Sequence, residues 1–176
     1  MNTTASKKQK PMKNMTKHIG LQAIVGVLLL CLPVLSGCQK NSLESTDTIR
    51  LKEIRENSAY ASLPLIGTKW QLVGFVDEKR KTIKLAKPDG GNSYTLLFKE
   101  DGYIEGNTST NGAHGQFITE RDNFLTIQFS TLTEINETGD GMFYIESMKK
   151  VSQFEISKKG LALMYDRSKY MLFQPY

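Results

Sequence analysis

Residues 94–106 read YTLLFKEDGYIEG, and their alternation decides the fold class. Strand side chains point to opposite faces with period two, so Tyr94, Leu96 and Phe98 fall on one face of an extended chain. Glu100-Asp101-Gly102 then supplies turn chemistry, because Asp bonds its own backbone and Gly accepts positive φ. Residues 103–106 resume an extended run. A strand, a tight turn and a second strand predict an antiparallel hairpin.

The same rhythm continues on both sides. Upstream, residues 69–76 (KWQLVGFV) read as a strand with Trp70, Leu72 and Gly74 on one face and Val73 and Phe75 on the other. Residues 77–80 form a charged turn, residues 82–86 a short strand, and Pro88-Asp89-Gly90-Gly91-Asn92 a strong breaker. Downstream, residues 115–119 and 124–129 read as strands around a turn at Arg121-Asp122-Asn123. Residues 151–156, 161–165 and 170–173 form a closing meander, turned at Lys158-Lys159-Gly160 and at Asp166-Arg167-Ser168. About eight short strands at such spacing predict a mainly β fold, a small antiparallel barrel-like sheet.

One segment departs from period two. Residues 140–150 predict a single α-helix, with Asp140 as cap and with Lys149 and Lys150 at the end where the helix dipole favours positive charge. Phe143, Ser147 and Val151, with Met148 beside them, are expected on its buried face. That face packs on the sheet or plugs an open end of the barrel.

The N-terminal zone carries the clearest motif. A lysine-rich stretch with Lys7, Lys8, Lys10, Lys13 and Lys17 precedes the apolar run IVGVLLLCL at residues 24–32. A basic region, a short apolar run and small residues before a cut make a secretory signal peptide. The run is short for a span of about 20 residues, so an uncleaved membrane anchor is the minor alternative. Leu35-Ser36-Gly37-Cys38 follows at once and resembles the bacterial lipobox. A cysteine thiol there takes a diacylglyceryl thioether, and small residues admit the peptidase. Two acyl chains suffice for stable anchoring at about 0.8 kcal/mol per buried methylene. Residues 1–37 are expected to be removed. Residues 38–62 are read as a lipidated cysteine with a polar, flexible tether, and residues 63–176 as the folded domain. Leu51 and Ile54 could share one face of a short helix near Asp47. Asp47-Thr48-Ile49 resembles the three-residue O-glycosylation sequon of Bacteroidetes and marks Thr48 as a candidate. Gln39 follows Cys38 instead of aspartate, which removes a simple inner-membrane retention signal. The acidic pair of a surface-export signal is also missing, since Asn41 and Ser42 stand there. An envelope site, lipid-anchored at the outer membrane, is therefore expected.

This cut changes what the composition means. The whole chain carries a formal charge of +5, with 23 basic and 18 acidic side chains. Five of those lysines lie before Cys38 and no acid does, so the mature chain balances eighteen against eighteen. Nucleic-acid binding calls for a basic excess on the folded domain, and none is expected as a partner. The chain has two cysteines, Cys31 in the discarded run and the lipidated Cys38. The mature domain therefore has no disulfide and no thiolate metal site.

The motifs from residue 65 to residue 173 resemble the HslJ-like or META domain, in the version found in Bacteroidetes lipoproteins. The features that carry this are GTKWQL at 67–72, YTLLF at 94–98 and GYIEGNTSTNGAHGQF at 102–117, followed in order by the helix around Phe143 and the meander. Thr110 stands where many members carry a cysteine. The resemblance implies a small antiparallel β fold with one helix, an envelope location and, in some relatives, stress resistance. It implies no established catalytic residues.

The candidate site residues come from the glycine-rich run. Gly106, Gly112 and Gly115 permit positive φ and tight bends, and a strand bulge with a turn is the favoured reading. The alternative is a ligand rim presenting Asn107, Thr108, Ser109, Thr110, Asn111 and His114, whose uncharged hydroxyls and amides suit a glycan or a peptide backbone. Catalytic readings fail on inventory. The mature chain has one histidine, His114, and lacks a G-x-S-x-G elbow, a Walker A loop and a G-x-G-x-x-G run. No catalytic residue, cofactor or metal is expected. Trp70 is read as a core anchor, and Tyr94, Tyr103 and Tyr144 as packed. The expected function is a non-enzymatic envelope lipoprotein whose β domain binds a protein partner or supports the envelope under stress. A barrel holding a small apolar ligand, and a hydrolase with an unrecognised site, are the alternatives. A centre filled by Trp70, Leu72, Leu96 and Phe98 would exclude the small ligand.

Overall fold

The computed structural model describes residues 47–87, 94–133 and 135–176. The signal region, the lipobox and the breaker at 88–92 lie outside them. Ten strands follow in chain order: Thr48–Arg50 (β1), Lys69–Asp77 (β2), Thr82–Leu85 (β3), Thr95–Phe98 (β4), Tyr103–Asn107 (β5), Gly112–Thr119 (β6), Leu125–Thr131 (β7), Gln153–Ser157 (β8), Gly160–Asp166 (β9) and Lys169–Pro175 (β10). Among the described residues there is one α-helix, Gly141–Met148 (α1), between β7 and β8. The mainly β class with a single helix is as the sequence predicts.

Eight strands run in one antiparallel path, β7-β6-β5-β4-β2-β10-β9-β8, while β3 pairs with β2 and β1 pairs with β3. The sheet curls until its ends approach. Phe124 bridges Gln153, and Leu125 N donates to Ser152 O at 3.0 Å, where β7 and β8 begin. The hairpin at 94–106 is present. Tyr94, Leu96 and Phe98 are buried together, and Gly102 takes φ +82 in the turn between β4 and β5. Trp70 is fully buried, and its Nε1 donates to Leu65 O at 3.2 Å.

Strict alternation fails inside β2. Leu172 pairs with Gly74 and Phe173 with Leu72, which leaves Val73 as an extra residue in the ladder. A bulge of this kind shifts every later side chain to the other face. Phe75 therefore joins Trp70 and Leu72 in the main core, while Val73 and Val76 face the opposite side.

That opposite side explains the fate of residues 47–62, which were expected in a tether. Val76, Ile83 and Leu172 would form an apolar patch on the outer face of the sheet. Ile49, Leu51 and Ile54 cover it, and Leu51 is itself buried. β1 pairs with β3, from Thr48 with Lys84 to Arg50 with Thr82. The expected short helix is a single 3-10 turn, Leu51–Glu53, and a second turn spans Ser58–Ser62. Asn57 N donates to Lys158 O at 2.8 Å and docks this second turn beside β8. From Asp47 onward the chain is part of the fold, because scattered apolar residues in a polar stretch suffice to seal a small patch.

α1 also departs from the expected detail. Its buried side is Tyr144, Ile145, Ser147 and Met148, whereas Phe143 is half exposed and meets Phe75 edge-on with ring centroids 4.8 Å apart. Asp140 does not cap the helix with its side chain. Its carboxylate instead accepts from Lys84 Nζ and from Lys87 N at 3.3 Å, which ties the helix start to β3.

Candidate functional site

The glycine-rich run folds as β5, a four-residue turn and β6. Gly106 and Gly115 are required for close approach and not for positive φ. A Cβ on Gly106 would lie 2.0 Å from Thr95 O, and one on Gly115 2.2 Å from Gln128 O. The turn, Thr108-Ser109-Thr110-Asn111, closes on itself: Thr108 N donates to Asn111 O at 2.8 Å and Asn111 N to Thr108 Oγ1 at 3.0 Å.

The expected rim does not present these groups to solvent. Thr108, Ser109 and Asn111 are 0%, 2% and 1% exposed. They converge on Glu137, a residue the sequence reading missed. Its carboxylate accepts from Thr108 Oγ1 at 2.6 Å, Ser109 N at 3.2 Å, Ser109 Oγ and Asn111 Nδ2. Asn111 Nδ2 also donates to Ile135 O at 2.8 Å, and Thr133 Oγ1 donates to Asn111 Oδ1. Thr110 Oγ1 reaches Asn136 O at 3.1 Å, and Thr138 N donates to Ser109 Oγ at 3.0 Å. The turn is thus a clasp that fixes the β7–α1 loop against the end of the sheet. Gly141 completes it, since a Cβ there would lie 2.4 Å from both Glu137 Oε2 and Ser109 Oγ.

Burial pushes the Glu137 carboxyl up, but the donors Ser109, Thr108 and Asn111 together outweigh it. They hold the group below the usual carboxylate range. A charged carboxylate at the start of α1 is also favoured by the free amides there. Beneath the clasp, the rings of Tyr94 and Tyr144 pack at a tilt of 49° with centroids 5.0 Å apart. Burial raises the Tyr94 phenol to about 12 and the Tyr144 phenol well above its ordinary value. The Tyr144 hydroxyl meets no hydrogen-bond partner among the described residues.

The remaining candidates separate from this cluster. Asn107 Nδ2 donates to Thr95 Oγ1 at 3.2 Å within the sheet. His114 is exposed on β6 opposite Glu105, whose carboxylate takes Lys99 Nζ at 2.6 Å. Thr48 is exposed as the first residue of β1. Tyr103, expected to be packed, is 49% exposed, because it lies on the outer face of β5. Cys38 and Leu35-Ser36-Gly37 lie outside the described residues.

Trp70, Leu72, Leu96 and Phe98 fill the centre of the curled sheet, and the most exposed of them, Leu72, is 7% exposed. The reading as a holder of a small apolar ligand is withdrawn on that ground. Among the described residues, no three His, Cys, Asp or Glu side chains gather as a metal site would require. Outside the clasp, a shallow groove of about 450 Å³ is lined by Asn111, Ile135, Glu137, Met142 and Lys149. Ile135 and Met142 are 62% and 59% exposed there.

Comparison with known proteins covers most of the chain. It is 27% identical over 152 residues to a Tannerella forsythia protein named "Putative lipoprotein", across 86% of this chain and 92% of that one. Among solved structures it is similar to the NMR structure of a protein from Burkholderia xenovorans, with a TM-score of 0.52 and 18% identity. That match covers 69% of this chain and 89% of the other. A DUF4847 family protein from Bacteroides vulgatus aligns with a TM-score of 0.45 and 19% identity, over 65% of this chain and 92% of the other. The Burkholderia likeness shows a shared fold. No protein-family model matches the chain.

Proposed function

We propose that this protein is a lipoprotein of the bacterial envelope, held on the outer membrane by lipid on Cys38, whose β domain is a non-enzymatic module for a protein partner. Leu35-Ser36-Gly37-Cys38, placed where the apolar run ends, carries the anchoring half of this reading. The likeness to the Tannerella protein along most of both chains supports it. The order of the GTKWQL, YTLLF and glycine-rich motifs supports a kinship with HslJ-like domains, and with it a role in envelope stress resistance.

The exposed apolar side chains around the clasp support the partner half. Leu132, Ile135 and Met142 stand out from the loop and helix start that Glu137 fixes in place. Exposed apolar groups on a rigid support mark a contact surface, because little order remains to be imposed on binding. Cys38→Ala should leave an unprocessed precursor that takes up no labelled palmitate; normal cutting and labelling would end the lipoprotein reading. A photo-crosslinking residue at Met142 should give an adduct with another envelope protein in cells, while one at Gln128 on the outer sheet face should not. Equal adducts at both positions would remove the clasp face from the proposal.

A further inference from the structure

The mature charge is balanced, but it is not evenly spread. Where the chain joins the fold, at β1 and the turn after it, an open depression of about 580 Å³ is walled by Arg50, Lys52, Arg80, Lys81 and Lys159, with Glu78 as the one acid in its lining. Leu51 contributes the apolar part of the wall, and its N donates to Lys81 O at 2.9 Å, which fixes β1 beside the β2–β3 turn. Three of the cations have carboxylate partners: Arg80 with Asp77 at 3.7 Å, Lys81 with Glu78, and Lys159 with Glu56. Arg50 and Lys52 have none among the described residues, and both are exposed. With all three acids counted, the depression keeps an excess of two positive charges.

Its place along the chain matters as much as its charge. Arg50 lies twelve positions after Cys38, a stretch that spans at most about 40 Å when extended. Arg50 and Lys52 are therefore the first cations of the described fold after Cys38. A guanidinium and an ammonium two residues apart, beside an apolar wall, suit a phosphate esterified to glycerol.

We propose that the depression walled by Arg50, Lys52, Arg80, Lys81 and Lys159 binds the phosphate of an anionic lipid headgroup on the membrane that holds Cys38. This rests on the lipoprotein reading above and adds to it an orientation, with the β1 end of the domain against the bilayer. Positive side chains attract an anionic surface within about one Debye length, and the short chain distance to Cys38 keeps the depression near that surface.

The test uses the chain from Gln39 onward, which carries every core side chain and no lipid, so its result is independent of lipidation at Cys38. Sedimentation with vesicles of equimolar phosphatidylglycerol and phosphatidylcholine should carry the protein down, and vesicles of phosphatidylcholine alone should not. Arg50→Gln with Lys52→Gln should weaken partitioning about 25-fold, at about 5-fold per charge, with an unchanged thermal transition because both side chains are exposed. Equal binding to the two vesicle types, or a double variant that binds like the parent, would overturn the proposal. Binding of radiolabelled inorganic phosphate by a parent protein that fails to sediment with the anionic vesicles would show a site for free phosphate and overturn the membrane assignment.

Discussion

Glu137→Ala tests the clasp, and its effect can be worked from the contacts. The substitution removes the acceptor for Thr108 Oγ1, Ser109 N, Ser109 Oγ and Asn111 Nδ2. Two of these donors keep another partner: Thr108 Oγ1 still reaches Asn111 O at 3.0 Å, and Asn111 Nδ2 still reaches Ile135 O at 2.8 Å. Ser109 is left with its amide and hydroxyl donors stranded while 2% exposed. A buried donor without a partner costs about 1–3 kcal/mol, so the loss is about 3 kcal/mol, or about 12 °C in Tm at roughly 4 °C per kcal/mol. Urea unfolding at neutral pH against the parent measures it, with Glu100→Ala as an exposed control. The pH dependence carries its own sign. The folded-state carboxyl of Glu137 lies below its usual range, so its contribution is present above the ordinary carboxylate value and is lost as pH falls through the depressed one. The gap between parent and variant should therefore be full above about pH 5 and close on acidification. A gap under about 1 kcal/mol at neutral pH, or one that widens in acid, would refute the assignment of Glu137 as the acceptor that holds the loop.

Four further substitutions probe the rest of the account. Leu51→Ala should cost about 2 kcal/mol in urea unfolding, because it opens the seal over Val76, Ile83 and Leu172; no change would return residues 47–62 to a tether. Gly106→Ala sets a methyl 2.0 Å from Thr95 O and should cost about 3 kcal/mol. Gly67→Ala meets nothing within 4 Å and should cost about 1 kcal/mol through its positive φ, so equal losses would contradict the close-approach argument. Tyr144→Phe removes a buried hydroxyl without a partner and should raise stability by about 1 kcal/mol by chemical unfolding; a loss of that size would mean the hydroxyl is satisfied.

The strands were legible because alternation is a local property. Tyr94, Leu96 and Phe98 could be placed on one buried face from spacing alone, and Trp70 and Leu72 likewise. Phe75 could not, since the bulge at Val73 is set by the pairing of β2 with the distant β10. The same limit applies to residues 47–62. Ile49, Leu51 and Ile54 look incidental in a polar stretch until the outer face they cover is known. In the candidate site, the turn at 108–111 was singled out but its direction was not. Three uncharged donors in one tight turn, followed by β6, were a signal that an acceptor had to arrive from elsewhere. Glu137, 26 residues beyond Asn111, carries no local pattern that names it. Asp140 misled for a similar reason: it stands at a cap position, yet Lys84 and the Lys87 amide claim its carboxylate.

The anchoring of the chain is the claim on which the rest of the proposed function depends. Intact-mass spectrometry of the protein extracted from the membrane fraction reads it directly. The account predicts a mature chain that begins at Cys38 and carries the added mass of a diacylglyceryl group, with or without an acyl group on the new amino terminus. A chain that begins at any other residue, or at Cys38 with a free thiol, would contradict it.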